Sequence, residues 1–354
     1  MAAVPLRTAR SWARVPHVMR WLGIALLAAL TAAASADAQS RAFEGKTVRI
    51  VVGFSAGGGY DTYSRAIARH FSRHIPGKPT VIVENMPGAG SMIAANYLYK
   101  IAKPDGLTIG NFAGGLVLAQ VLGQPGIEFD ARKFPWVGVP SREVCVCATT
   151  KASGVTSVAS WMAAAKPVKL GGVGPGTSTD DAPRVLAATV GLPIQLVRGY
   201  KGTAEIRLAA ESGEVAGGCW QWESVKSTWR QGLESGDVNV VLQIAKKPLA
   251  DLPNTPLAFS LAKTDEARQI INAGVVVPTE IGRLYALPPG TPADRVQALR
   301  TAWSQTMRDP DFVAEARRSK LEIDAMDGDE LTRVVGDLFK LDPAIAAKLK
   351  DILK

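Results

Sequence analysis

The sequence predicts an α/β fold in two lobes. Short apolar runs of strand length alternate along the chain with amphipathic stretches of helical period, the pattern of helices packed on largely parallel sheets. A strand, a glycine-rich loop and a helix follow one another near the start of the chain and again twice in its middle. The chain has 354 residues, 47% of them hydrophobic, which is enough for two cores rather than one.

Residues 1–38 read as a signal peptide. Arg7, Arg10, Arg14 and Arg20 accompany the apolar run WLGIALLAALTAAA, which begins at Trp21. SADAQS follows, and Ala36 and Ala38 there suit cleavage after Ala38. The run is roughly 14 residues, short of the ~20 that span a bilayer as a helix. An Arg-Arg pair and a cysteine are both missing from this stretch, so neither twin-arginine export nor lipid attachment is expected. Loss of four Arg and Asp37 lowers the formal charge from +9 to +6. Without a dominant Lys/Arg block, that charge suits small anionic solutes and argues against nucleic acid.

TVRIVVGF (47–54) reads as the first strand, and an amphipathic helix follows over 62–75. Tyr63, Ile67, Phe71 and Ile75 form its apolar stripe, and Arg65, Arg69 and Arg73 a basic one. PTVIVENM (79–86) is a second strand, GAGSMIAANYLYKIA a second helix behind a glycine turn, and LTIGNFAGG (107–115) a third strand and loop. WVGVP and EVCVCATT follow as strands, then GVTSVASWMAAA as a helix after Ser or Thr caps. VKLGGVGPGTSTDDAPRVLAATVG and IQLVRGYKGTAEIRLAAESGEVAGGCW each repeat strand, loop and helix. VNVVLQIA precedes a Pro-rich stretch, and two helical stretches end the chain, the first starting near Pro292 and Asp294.

Cys145, Cys147 and Cys219 are an odd set, so an oxidising compartment leaves at least one thiol free. Cys145 and Cys147 share a strand face, a poor arrangement for bonding to each other. Buried small hydrophobes are the expectation, since C-x-C without further Cys or His is a weak metal pattern.

Gly53-Phe54-Ser55-Ala56-Gly57 spells G-x-S-x-G between a strand and a helix, the pattern of a hydrolase nucleophile elbow. That chemistry needs an acid and then a histidine on a late loop. Beyond the leader the chain has only His70 and His74, on the helix directly after Ser55. Ser55 also follows the first strand instead of one deep in the order, so no triad is expected. His70 and His74 are spaced i, i+4, yet Phe71 stands where a zinc protease has its Glu, and no metal site is expected. EGKT (44–47) lacks the leading glycine of a phosphate-binding loop, and Gly172-Val173-Gly174-Pro175-Gly176 is not G-x-G-x-x-G. No cofactor is expected.

Four loops share one design. Gly57-Gly58-Gly59-Tyr60-Asp61-Thr62, Gly88-Ala89-Gly90-Ser91, Gly174-Pro175-Gly176-Thr177-Ser178-Thr179 and Tyr200-Lys201-Gly202-Thr203 each lead into a helix. Free N–H groups and the positive end of a helix dipole suit an anion there, and Ser and Thr add hydroxyl donors. One such loop is an ordinary tight turn. Four of them across both halves favour a cleft shared by two lobes.

On these residues the chain resembles a known family. The stretch from VRIVVGFSAGGGYDTYSRAIARHF through VENMPGAGSMIAANYLYKIAKPDGLTIG is similar to the opening of the tripartite tricarboxylate transporter receptors, the Bug-type periplasmic solute-binding proteins. The likeness continues through GPGTSTDDAPRVLAATVGLPIQLVRGYKGTAEIRLAAESGEV and returns in LYALPPGTPADRVQALRTAWSQTMRDPDFVAEARRSKLEI. It implies a type II periplasmic-binding-protein fold, with lobe I from 45–143 plus 258–354, lobe II from 144–257 and a ligand cleft between them. It also implies a carboxylate held by the loop from Ser55 to Asp61 and by the loop from Gly174 to Thr179. Ser55-Ala56-Gly57-Gly58 replaces the family's usual Pro-Pro-Gly-Gly, a departure that implies a different loop shape or ligand.

Trp220 and Trp222 share a face if GGCWQWESVKSTW (217–229) is extended. Core packing is one reading, and an aromatic wall that selects a flat or aromatic carboxylate is the other. Tyr200 joins the candidate contacts. Asp180 and Asp181 read as helix caps with Arg184 as partial compensation, and Asp61 as a cap or as an acceptor for a ligand hydroxyl or ammonium. The expected protein is an exported periplasmic monomer without cofactor, metal or nucleic acid. It captures a small carboxylate, a di- or tricarboxylate or an aromatic acid, and delivers it to membrane transporter subunits. A carboxylate sensor or scavenger without a transporter, and a serine hydrolase using Ser55, are the alternatives.

Overall fold

The computed structural model describes residues 42–354, and the expected leader over 1–38 lies outside the described residues. In chain order the strands are β1 (Thr47–Val52), β2 (Thr80–Asn85), β3 (Thr108–Ala113), β4 (Trp136–Val139), β5 (Cys145–Thr150), β6 (Val168–Gly172), β7 (Ile194–Arg198), β8 (Gly217–Gln221), β9 (Val238–Ile244), β10 (Arg283–Ala286) and β11 (Met326–Asp327). They form a six-stranded sheet in the order β11-β4-β10-β3-β1-β2 and a five-stranded sheet in the order β7-β6-β8-β5-β9. The chain passes from the first sheet to the second between Val139 and Cys145, and returns between Ile244 and Arg283.

Within each sheet the three strands joined through helices are parallel: β1 with β2 and β3, and β6 with β7 and β8. The first strand after each crossing runs the other way. β10 is antiparallel to β3 and β4, and β5 to β8 and β9. The sheets are therefore mixed.

Seven helices matter for the site: α1 (Gly59–Phe71), α2 (Met92–Lys100), α3 (Gly115–Val121), α4 (Val158–Met162), α5 (Ser178–Val190), α6 (Thr203–Glu211) and α7 (Trp222–Thr228). α1 starts three residues before the expected position, because the glycine loop runs straight into it. It ends at Phe71, short of the expected position 75; Tyr63, Ile67 and Phe71 of its stripe, and Ile75 beyond its end, are all sealed in the core. Its arginines are spent on ion pairs, Arg65 with Asp61, Arg69 with Glu315 and Arg73 with Asp311. α4 opens on a capping box between Ser157 and Ser160, as the Ser/Thr cap reading expects.

Three features depart from the sequence reading. The helices Ala258–Leu261, Asp265–Ile271 and Pro343–Ile352, expected with lobe I, pack in one apolar cluster with β5, β6 and α5 of the second sheet, through Ile271, Ile345 and Leu349. Cys147 lies opposite Cys219 on adjacent antiparallel strands and forms a disulfide with it, leaving Cys145 as the buried free thiol. And β8 ends at Gln221, so that Trp222 begins a helix. The period-two relation that would align Trp220 with Trp222 stops between them.

Candidate functional site

The loop tips of the two sheets meet main chain to main chain. Ser55 N donates to the Lys201 carbonyl at 3.0 Å. A Cβ added to Gly58 would lie 3.1 Å from Thr203 Oγ1; on Gly90, 2.7 Å from the Pro175 carbonyl oxygen; on Gly115, 2.3 Å from that of Gly176. Glycine is required at Gly90 and Gly115 because any side chain would strike the opposite lobe's backbone. Ala89, Gly90 and Ser91 are all left-handed, with φ of 46°, 63° and 73°, a conformation that costs about 1 kcal/mol or more for each non-glycine residue. The buried Ser91 hydroxyl helps hold this turn by accepting from Ala113 N at 2.9 Å.

Closure leaves two small cavities, about 10 and 20 Å³, each on the scale of a single water. Tyr60, Thr177, Ser178 and Gln221 border both. Gly115, Asp181, Thr279 and Gly282 complete the smaller one, and Phe54, Gly58, Gly59, Thr179 and Thr203 the larger. Among the described residues, no Lys, Arg or His lines either cavity. Both helix starts carry first-turn acids, Asp61 on α1 and Asp180 and Asp181 on α5. The N-cap residues of α1 and α5, Gly58 and Thr177, make no side-chain hydrogen bond to their own helices. Residues at both helix starts border the cleft, and no N-cap side chain accepts from their first turns. A groove of about 1040 Å³ lies elsewhere, beside Lys166, Glu211 and Asp237 on the second lobe, and touches none of these loops.

The sequence candidates scatter around this cleft. Gly58, Gly59, Tyr60, Gly176, Thr177, Ser178 and Thr179 border the cavities, while Ala56 and Gly57 lie exposed at the rim. Gly174 packs against the Gly90 backbone. The Ser55 hydroxyl is buried without a hydrogen-bond partner. His70 stands roughly 16 Å along α1 from the loop and His74 lies past the end of that helix; they are occupied by Glu315 and Asp309 at 2.7 Å each. Neither is within reach of Ser55 as a base. Asp61 ties its own loop together: Gly57 N donates at 2.9 Å, Arg65 Nε at 3.0 Å and Asn85 Nδ2 at 3.0 Å. Burial alone would raise this carboxyl, but the Arg65, Gly57 and Asn85 hydrogen bonds outweigh it and hold it below its ordinary range. So engaged, it has no place in either cavity wall.

The aromatic candidates Tyr200, Trp220 and Trp222 lie outside both cavity linings. Tyr200 donates its hydroxyl to Glu214 at 2.6 Å and borders neither cavity. Trp220 stacks on Trp229 at 5.5 Å in the core, and Trp222 donates Nε1 to Asp251 at 3.1 Å. No aromatic wall forms from them. The residue between, Gln221, is the one that reaches the cleft, because alternation along β8 sends it to the face opposite Trp220.

Sequence reading also missed Arg283. Its guanidinium is sealed from solvent, stacked 5.1 Å from the Tyr60 ring and 4.4 Å from that of Tyr63. It pairs with Glu143 and donates to Ser224 on α7. Burial pushes the Tyr60 phenol up to about 12, with the Arg283 charge opposing. Tyr60 is therefore neutral, and its hydroxyl donates to the Gly282 carbonyl at 2.6 Å. An isolated arginine in an apolar stretch carries no local sign of this role.

Residues 64–350 match the family described as "Tripartite tricarboxylate transporter family receptor". A UPF0065 protein from Cupriavidus necator, named for the gbd 5' region, is 27% identical over 350 residues, 94% of this chain and 97% of its own length. The solved structure of the periplasmic binding protein BugD matches with a TM-score of 0.69 at 22% identity, over 88% of this chain and 98% of BugD. Rpa4515 of R. palustris, solved with adipate, matches with a TM-score of 0.70 at 23% identity, over 86% of this chain and 97% of that one. The two sheets, two crossings and facing glycine loops are those of a two-lobed periplasmic-binding-protein fold, and the family is one of binding receptors, not enzymes. With most of its length matched, the chain belongs to the tripartite tricarboxylate transporter receptor family.

Proposed function

We propose that the protein is exported to the periplasm, where it acts as a monomer, captures a small carboxylate between its lobes and presents it to the membrane subunits of a tripartite transporter. The observation that carries this reading is the pair of side-chain-uncapped helix starts, α1 and α5, facing one cleft whose lining holds no basic residue. Backbone amides grip a carboxylate oxygen without a counter-ion to break, which permits release. Closure excludes water and strengthens those bonds. The family description and the adipate found with Rpa4515 support a carboxylate as the class. The basic, then apolar, then Ala-x-Ala order at the N-terminus supports export.

The test is a thermal-shift panel of adipate, citrate, benzoate, terephthalate and glutamate, with each acid recovered afterwards. The expected result is a rise in Tm with at least one acid, returned chemically unchanged. No rise with any of them, or consumption of an acid that binds, rejects the reading.

A further inference from the structure

The cleft has two chemically different ends. Around the larger cavity Tyr60, Thr177, Ser178, Thr179, Thr203 and Gln221 join the glycine loop Gly58–Gly59, the donor-rich surroundings that a carboxylate needs. The smaller cavity shares Tyr60, Thr177, Ser178 and Gln221 with it and adds a carboxyl. Asp181 is 5% exposed and is the one ionisable carboxyl in either lining. Its Oδ1 accepts from Gly176 N at 3.2 Å, and among the described residues no other hydrogen bond or ion pair reaches it. The nearby cations are taken by its neighbour: Arg198 holds Asp180 through two bonds of 2.8 Å, and Arg184 approaches the same carboxyl at 3.7 Å. Of the hydroxyls at this end, Tyr60 is committed to the Gly282 carbonyl, Thr279 to the Val275 carbonyl and Thr177 to the Gly174 carbonyl, while Ser178 approaches Gln221 Oε1 at 3.5 Å. Carbonyls of Pro278 and Ile281 crowd Gly114 beside it.

A buried carboxyl with one partner and no cation is costly to leave as it is. Burial, and then the charge of Asp180, push it well above its ordinary range, against the opposing Gly176 N–H and Arg198. A group that donates to it would offset that cost.

We infer that the ligand carries a hydrogen-bond donor, a hydroxyl or an ammonium, in addition to its carboxylate, and that Asp181 selects it. The inference rests on the carboxylate reading and narrows it to hydroxy or amino acids. The carboxylate lies toward Gly58 and Thr203, and the donor toward Asp181. An unsubstituted acid of the same length satisfies only the first end.

The experiment is calorimetric titration of the mature chain with matched acids: succinate, malate and aspartate, then glutarate, 2-hydroxyglutarate and glutamate. In at least one set a substituted acid binds about three- to tenfold tighter than its parent, the worth of one hydrogen bond between neutral groups, and more where the donor is an ammonium. Asp181→Leu erases that preference, read as the ratio of the substituted acid's affinity to its parent's. Asp181→Asn, which keeps an acceptor and the bond from Gly176 N, serves if the Leu variant does not fold. It retains most of a hydroxyl preference and loses an ammonium one. Equal binding of parent and substituted acids, or a preference untouched in both variants, overturns the inference while leaving a carboxylate receptor. Absence of binding by all six acids, with none bound in the wider panel, overturns both.

Discussion

Arg283 and Glu143 form an ion pair sealed from solvent at the points where the chain passes between its sheets. Glu143 lies on the outgoing crossing and Arg283 opens the first strand after the return. The same guanidinium lies against Tyr60 and reaches Ser224 on the second lobe's side. Removing one partner strands the other charge in the interior. Arg283→Met is expected to cost about 3 to 5 kcal/mol, measured by urea unfolding. Adding Glu143→Gln is expected to restore at least half of that; a double variant no more stable than the single one contradicts the pairing.

Gly115 touches the Gly176 carbonyl across the cleft. Gly115→Val places a branched side chain against opposing main chain, where neither backbone can yield cheaply. The expected outcome is a larger radius of gyration in X-ray scattering, with far-UV circular dichroism unchanged and carboxylate binding lost. Identical scattering from variant and parent would show that the contact does not set the distance between lobes.

Cys147 and Cys219 are 72 residues apart in sequence. A cross-link over a loop of that length removes on the order of 4 kcal/mol of unfolded-state entropy. Replacing both by Ala is expected to lower the unfolding free energy by a comparable amount, and Cys145→Ala by much less. Stability that survives dithiothreitol unchanged argues against the bond.

Glu223 lies on α7, buried beside Lys226, which also reaches Asp251 at 2.8 Å and Glu322 at 3.5 Å. Burial pushes its carboxyl up to about 7, helped by Glu322 and opposed by Lys226. A carboxyl with a raised folded-state pKa binds more protons folded than unfolded between its ordinary range and about 7. Its contribution therefore falls as pH rises through that window. Glu223→Gln is expected to flatten the fall in Tm between roughly pH 5 and 7. An unaltered slope in the variant would place the titration elsewhere.

What the sequence revealed was local. The stripe Tyr63, Ile67, Phe71 and Ile75 is written at helical period and is buried as read. Glycine loops after strands were visible because tight turns and close backbone approach need that residue. Long-range partners left no such trace. Cys219 meets Cys147 only once β5 and β8 pair antiparallel, and Arg283 meets Glu143 only at the crossings. Trp222 looked like a strand residue until the strand ended one position earlier. Gln221 was overlooked for the same reason, since its neighbours were the conspicuous ones. Asp181 was read as a cap, and its place beside the cleft depends on α3 and the 274–282 segment closing over it.

The most direct measurement is a crystal structure with whichever panel acid gives the largest rise in Tm. A carboxylate group is expected between the first turns of α1 and α5, within about 3 Å of backbone nitrogens from both lobes. Density for the acid in an outer groove, or against one lobe alone with those amides untouched, would contradict the account.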